Sequence, residues 1–234
     1  VIGLVIPAHD EGERIGAALR AARRAAAHPA LAGEEVRLVV VLDSCVDGTA
    51  DVVARHGARQ LALDARNVGI ARAAGAAHCL EAGARWLAFT DADTRVAPGW
   101  LAMQLAEARA GADAVCGTVG VHDWKVHGGG AARLRERFAR DYMARDGHRH
   151  VHGANLGVSA AAYLRVGGFA PLACGEDVAL VAALEAAGAR IAWSARPRVT
   201  TSARTDARAR GGFGDTLLAM AAALAVPVAA IEAG

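Results

Sequence analysis

At 234 residues the chain is long enough to bury most of its apolar surface in one large core or two small ones. Hydrophobic residues make up 54% of it and aromatic residues only 4%, so the apolar content is mainly Ala, Val and Leu. That composition suits Ala-rich helices packed on Val/Leu strands and excludes a disordered chain. With 26 basic against 24 acidic residues, the net charge of +2 excludes nucleic-acid binding through a global polycationic surface.

In chain order, the opening VIGLVIP is a β-branched run followed by an Ala-rich helical pattern from Glu13 to Ala27. VRLVVVLD predicts a second strand, and Thr49 to His56 a second helix. ARQLAL gives a third strand, Gly69 to Ala82 a third helix, and RWLAFT a fourth strand. Pro98 sits where a helix's first turn tolerates proline and opens a helix to about Ala110, after which ADAVCGT reads as a fifth strand. Strand then helix, repeated, requires crossover connections and predicts a mostly parallel sheet with helices on both faces.

The rhythm changes beyond this point. GVHDWKVHGGG, residues 120–130, reads as loop, and Arg133 to His150 as a charged helix with six arginines against three acids. Such a basic segment is either a solvated face or a surface for an anionic acceptor or membrane. Trp124, with His122 and His127, either joins a core or lines an acceptor pocket. HGANLGVSAAAYLRVGGF gives a short strand, a helix begun by Ser159 and a Gly-Gly turn. GEDVALVAALEAAGARIAWS gives an acidic helix start, a helix to about Ala187 and a strand.

The apolar tract Leu217 to Ile231 falls short of the ~20 residues that span a bilayer and contains Pro227, which predicts an amphipathic or core helix with at most peripheral membrane contact. Cys45, Cys79, Cys116 and Cys174 form no C-x-x-C, and the opening strand lacks a signal-peptide pattern. The expectation is therefore free thiols, no structural zinc and a cytoplasmic location.

Ligands of parallel sheets gather at the carboxyl ends of the strands. The polar residues there are His9, Asp10 and Glu11; Asp43, Ser44 and Asp47; Asp64, Arg66 and Asn67; and Asp91 and Asp93. PAHDEGER is not the G-x-G-x-x-G of a dinucleotide site, and no P-loop sequence is present. FTDADTR sets two carboxylates one residue apart directly after an apolar strand. They are either turn formers or ligands for Mg²⁺ or Mn²⁺, which would in turn bridge diphosphate oxygens.

Six segments, IPAHDEGERI, VVVLDSCVDGTADVV, NVGIARAAG, FTDADTRVAPGWL, HGANLGVSAAAYLRVGGF and GEDVALVAAL, occur in the order and approximate spacing of the family 2 glycosyltransferases. The resemblance covers Val1 to about Phe213. It implies an α/β GT-A fold in a single domain, 1–234, with a mostly parallel, Rossmann-like nucleotide-binding half (1–118) and a smaller mixed acceptor-binding half (119–234). It also implies inverting transfer from a UDP- or GDP-sugar to an acceptor hydroxyl, with Mn²⁺ or Mg²⁺.

By the same resemblance, Pro7, Ala8, His9, Glu11 and Asp43 look like the nucleoside cradle. Asn67, Gly69 and Arg72 match a segment beside base and ribose, where Arg72 is either turned toward the phosphates or a solvated helix residue. Asp91, Ala92 and Asp93 match the D-x-D whose acids touch ribose and metal. Gly153, Ala154 and Asn155 match a loop near the transferred sugar, Asn155 offering a donor and an acceptor to a hydroxyl. Asp177 matches the general base, with Glu176 as its orienter or a sugar ligand.

Many GT-A enzymes take a third metal ligand from a late histidine, and no histidine follows His152 here. Asp206 could replace it, or Arg204, Arg208 and Arg210 could close over the diphosphate, or the segment is a basic surface loop. Two other readings are weaker. A nucleotidyltransferase would carry a Gly-rich, Arg/Lys-bearing loop after the first strand, and a non-catalytic nucleotide-sugar binding protein has less use for the Glu176-Asp177 pair.

Overall fold

The apolar runs become strands because both their faces are covered. β1 (Ile2–Ala8) and β4 (Trp86–Phe89) are buried almost throughout, as is the carboxyl half of β2 (Val36–Asp43), while β3 (Arg59–Leu63) is more exposed. A computed structural model describes residues 1–205 and 213–225 of the chain. Among these, β5 (Arg95–Val96), β6 (Ala114–His122), β7 (Leu156–Ser159) and β8 (Ile191–Ser202) complete an eight-stranded sheet of order β3-β2-β1-β4-β7-β6-β8-β5.

Four strands, β3-β2-β1-β4, run parallel, as the strand–helix alternation predicts. The other half is mixed: β7 is antiparallel to both β4 and β6, and β5 is antiparallel to β8. The short β5 follows the D-x-D directly and is too brief to carry a periodic signal in the sequence.

Pro7 sits in the interior strand β1, where the missing N–H would ordinarily break a ladder. Here the partner has already ended. Val5 is the last β1 residue in register with β4, and its carbonyl accepts the Thr90 N–H at 3.2 Å. Pro7, on the same side of the strand two residues later, meets no β4 acceptor.

Helices α1 (Ile15–Ala26), α2 (Thr49–Arg55), α3 (Val68–Glu81) and α4 (Trp100–Arg109) supply the crossovers. α3 lies against β1 and β2, and its glycines set the distance. A Cβ on Gly75 would press into Val5 Cγ1 and lie 3.0 Å from Val41 Cγ2. The apolar core continues through Phe89, Leu156, Tyr163, Phe169, Leu180 and Leu184, drawing in α6 (Ala160–Arg165) and α7 (Glu176–Ala186). Ser159 caps α6 by accepting the Ala162 N–H.

By contacts the chain divides into two compact units, residues 1–120 with 144–201 and residues 121–143 with those from 202 onward. Residues 144–201 therefore belong with the first unit instead of beginning a second half at residue 119. In the second unit, α5 (Ala131–Asp141) and α8 (Phe213–Ala225) pack through Phe138, which meets Phe213 edge-on at 6.0 Å and stacks on Tyr142 at 4.9 Å. Trp124 joins this cluster 5.6 Å from Phe138. It is half-buried there and also lines a surface cavity with Asp123, Lys125 and Arg135, so it packs in the cluster and walls a cavity at once.

The helix expected to run to His150 ends at Asp141. Beyond it the backbone is pinned to β8: Gly147 N–H donates to Trp193 O at 2.8 Å and Asp146 Oδ1 accepts the Ala195 N–H at 2.7 Å. All four cysteines are free thiols. No helix among the described residues is long and apolar enough to cross a membrane; the part of the apolar tract beyond residue 225 lies outside them.

Filling the α3–sheet contact should overpack it. Gly75→Ala is expected to lower the unfolding free energy by about 1–3 kcal/mol, read from urea denaturation. An unchanged midpoint would mean that the helix can back away from Val5 and Val41 without loss.

Candidate active site

Parallel register brings the carboxyl ends of β1 to β4 to one edge. Ala8 lies beside Leu42, Asp43 beside Leu63 and Val5 beside Phe89. β7 enters the sheet antiparallel, with Leu156 beside Phe89, so the turn Gly153–Asn155 before it reaches the same edge. The loops after β1, β2, β3 and β4 and the loop before β7 thus share one rim.

On the β1–β2 side, polar side chains mainly fasten loops to one another. Asp10, at φ 51°, accepts the Val46 N–H at 2.8 Å and the Asp47 N–H at 3.2 Å. Asp47 accepts from Gly12 N at 2.9 Å, and the Thr49 hydroxyl receives the N–H of buried Glu11 at 2.8 Å. His9 places Nδ1 2.7 Å from the Asp43 carbonyl oxygen, and its side chain is 40% exposed at the rim.

Asp43 is 5% exposed, and its carboxylate accepts N–H groups from Ala65 (2.8 Å), Arg66 (2.8 Å) and Asn67 (2.7 Å), plus the Ser44 hydroxyl (3.1 Å). Burial pushes its pKa up, but these four donors outweigh that and hold it below the usual carboxylate range. Three of the four bonds fall on Oδ1, so Oδ2 keeps room for another donor.

Asn67 caps α3, its Oδ1 accepting the Ile70 N–H at 3.0 Å while Nδ2 donates to Pro171 O at 3.1 Å. Gly69 lets residues 170–172 lie on the helix. Its N–H donates to Leu172 O at 3.0 Å, and a Cβ there would strike the Ala170 carbonyl oxygen. Asn67 and Gly69 thus shape the rim, Asn67 by capping the helix and Gly69 by admitting residues 170–172.

Arg72, one turn into α3, is 4% exposed and is not the solvated residue that one alternative supposed. Nη2 donates to Asp91 Oδ1 at 2.5 Å and Nη1 to Glu176 Oε1, 104 residues along the chain. Burial disfavours its charge, but Asp91, Glu176 and Asp177 hold its pKa above even the ordinary arginine value. A Cβ on Gly153 would fall inside the guanidinium, so only glycine fits there.

The acids outnumber this cation. Asp91, at the head of a turn closed by Thr94 N–H to Asp91 O at 3.1 Å, has its pKa raised by burial and by repulsion from Asp93 and Asp177, against the pull of Arg72. Glu176, 4% exposed, is likewise raised by burial and by Asp177, despite Arg72. Ala92 is buried between the two D-x-D acids. Asp93 Oδ1 accepts the Thr94 and Thr201 hydroxyls, each at 3.2 Å. Among the described residues no three His, Cys, Asp or Glu are grouped to hold a metal unaided.

Glu176 and Asp177 open α7, where the helix N-terminus favours negative charge. Asp177 is only partly buried. Its Oδ2 accepts the Gly153 N–H at 2.6 Å and Oδ1 the Val178 N–H at 2.8 Å.

Two expectations for the HGAN turn change. Asn155 is fully buried and its carboxamide is spent: Oδ1 accepts Trp100 Nε1–H at 2.7 Å, and Nδ2 donates to Thr118 O at 2.8 Å and Pro197 O at 2.9 Å. It ties α4, β6 and β8 together and offers nothing to a sugar. Ala154, 8% exposed, faces inward as well. Arg204 lies in the second unit and is buried. Asp206, Arg208 and Arg210 lie outside the described residues.

The sequence profile of glycosyl transferase family 2 matches residues 4–166. Among solved structures, the mannosyltransferase PcManGT from Pyrobaculum calidifontis, in complex with GDP-Man and Mn²⁺, is 18% identical with a TM-score of 0.66, over 88% of this chain and 58% of its own. S. aureus TarS 1-349 in complex with UDP-GlcNAc is 13% identical with a TM-score of 0.67, over 95% of this chain and 65% of its own. GalNAc-T7 with UDP, GalNAc and Mn²⁺ matches at 14% identity and a TM-score of 0.60, over 87% and 44%. At these identities the likeness is one of fold, and the chain spans less than two thirds of each of these structures. No curated protein sequence matches the chain.

His152 precedes the turn in a run of stacked imidazoles, His148 to His150 at 5.4 Å and His150 to His152 at 5.9 Å. Burial, with repulsion from His150 and His148 and against attraction by Asp177, lowers its pKa from 6.5 to about 4. Between these values the unfolded chain binds the extra proton, so this group's contribution is full above pH 6.5 and is lost as pH falls toward about 4. His152→Gln should flatten the stability–pH curve across that window in urea denaturation. An unaltered slope would show that the folded chain protonates His152 freely.

Proposed function

The chain belongs to glycosyl transferase family 2, and from that membership we propose that this glycosyltransferase moves a sugar from a nucleoside diphosphate to an acceptor hydroxyl with inversion. The observation that carries this reading is the Asp91–Arg72–Glu176 bridge, which gathers the D-x-D segment and the Glu176-Asp177 pair at one rim. The chain has the GT-A fold, and relatives of that fold hold GDP-Man with Mn²⁺ or UDP-GlcNAc, which supports a UDP- or GDP-sugar as donor here.

The nucleoside end of the donor takes the β1–β2 side of the rim, between Pro7, Ala8, His9 and Glu11 and the Asp43 loop. Asp43 acts there mainly by fixing the backbone of residues 65–67, with Oδ2 left for a donor group on base or ribose.

The donor set at the D-x-D suits a hard divalent cation such as Mn²⁺ or Mg²⁺. Asp91, Glu176 and Asp177 surround one guanidinium, with Asp93 acting on Asp91, and burial first and repulsion among these acids second raise the pKa values of Asp91 and Glu176. Asp93 and Asp91 would hold the ion. Once bound, it would supply positive charge to offset that of the leaving diphosphate.

Asp177 serves as the general base. Both its oxygens are oriented by backbone N–H groups, each keeps a free lone pair, and partial exposure leaves it within reach of an acceptor. It takes the hydroxyl proton as the acceptor oxygen forms its bond to the anomeric carbon. The bond to the diphosphate breaks on the opposite face, and the electron pair departs with the diphosphate.

Asp177→Asn should lower kcat by about 10²–10⁴-fold while leaving nucleoside diphosphate binding in place. Normal turnover by this variant would remove Asp177 from the base role. Asp93→Ala should abolish the difference between UDP or GDP affinities measured calorimetrically with and without Mn²⁺. A difference that survives the substitution would place the ion elsewhere.

A further inference from the structure

We propose that Arg72 is a positioning residue that couples the D-x-D to the catalytic base and does not itself bind the donor. The inference deepens the glycosyltransfer reading and rests on it for the catalytic consequence.

Three observations carry it. First, each terminal nitrogen of the guanidinium donates to a protein carboxylate, Asp91 on one and Glu176 on the other, and the side chain is 4% exposed. Its Nε is buried without a partner, so a donor phosphate would meet a terminal nitrogen only in competition with one of those acids. Second, the flat face of the group is closed by Gly153 on one side, where no Cβ fits, and its carbon lies 5.9 Å from the centre of the Phe169 ring. Third, both routes away from Arg72 end at Asp177. Glu176 is its neighbour in the first turn of α7, and Gly153 donates its N–H to Asp177 Oδ2 at 2.6 Å.

The consequence is mechanical and electrostatic. A shift of Asp91 when the D-x-D takes up a cation alters one arm of a rigid, planar fork, and the other arm and the packed Gly153 must answer. The base is then set when the donor side is loaded. Lysine at this position keeps the charge but, as a point charge, cannot hold both acids in a fixed plane.

The test uses the full chain as Arg72→Lys, with Glu176→Gln as a second variant that cuts the same link from the other end. Titrations with UDP and GDP in the presence of Mn²⁺ should give donor affinities close to those of the wild type. Turnover should show kcat down by about 10²-fold with little change in donor KM, the cost of a slightly misplaced group. Donor affinity that falls in step with kcat would make Arg72 a donor ligand and overturn the proposal, as would unchanged kcat.

A second measurement does not depend on any nucleotide. In the ligand-free protein, Asp91→Asn should move the Gly153 amide resonance, and the same substitution in an Arg72→Lys background should move it far less, the mark of two sites coupled through a third. Equal shifts in the two backgrounds would overturn the coupling. If the wild type neither binds nor transfers any sugar nucleotide, the glycosyltransfer reading fails, while this cycle still decides whether Arg72 links the two acidic segments.

Discussion

A guanidinium taken out of water is tolerable only if its charge is met, because the uncompensated cost of burying an ion is several kcal/mol. Arg72 has its charge met by two carboxylates from distant parts of the chain, with Nε left unpartnered, and much of the site's arrangement follows. α3 must lie close enough to β4 for the fork to reach Asp91, which the glycines of its inner face allow. α7 must begin where Glu176 can meet the other arm. The turn before β7 must carry a glycine at 153, because the same guanidinium occupies the space of a side chain. Moving any one of these elements would leave a buried charge without its partner.

The charge at the rim is unbalanced by design of the same cluster. Arg72 faces Asp91, Glu176 and Asp177, and burial holds both acids that touch it above their usual pKa in spite of that contact. The same cluster bears on the turn reading of FTDADTR. Asp91 does close a turn through its carbonyl, so the turn reading is correct for its backbone, while its side chain is committed elsewhere. Turn geometry and charge placement are not rivals there; the turn is what aims the two carboxylates apart.

The parallel half of the fold was legible because each strand is an unbroken apolar run and each crossover an Ala-rich stretch with a polar punctuation mark. The antiparallel half was not. β5 has two residues, and β8 lies between β6 and β5, an order that no local pattern encodes. Arg72 as a buried hub was also missed, although a signal existed: VGIARAAGAAHCLE carries one permanent charge before its last residue, in a helix otherwise small and apolar. A charge in so apolar a helix implies a buried partner, and the acids of FTDADTR and GEDVAL were available to supply it. Sequence spacing alone could not say that both would converge on the same nitrogen fork.

Matching a motif position to a ligand assumes that the side chain points at the ligand, and Asn155 shows how that assumption breaks. Its carboxamide has one acceptor site in use and both donors in use, all inside the protein. Replacing any partner with a sugar hydroxyl would strand a Trp100 N–H or a backbone carbonyl in a dry interior, at a cost that one hydroxyl contact does not recover. The residue still bears on the rim, through the backbone. By anchoring the turn to α4, β6 and β8 it fixes where Gly153 sits, and Gly153 presents the N–H that Asp177 accepts. The part of HGAN that meets the Glu176-Asp177 pair is thus the peptide unit at 153, held from one side by the buried Asn155 amide and from the other by a buried arginine.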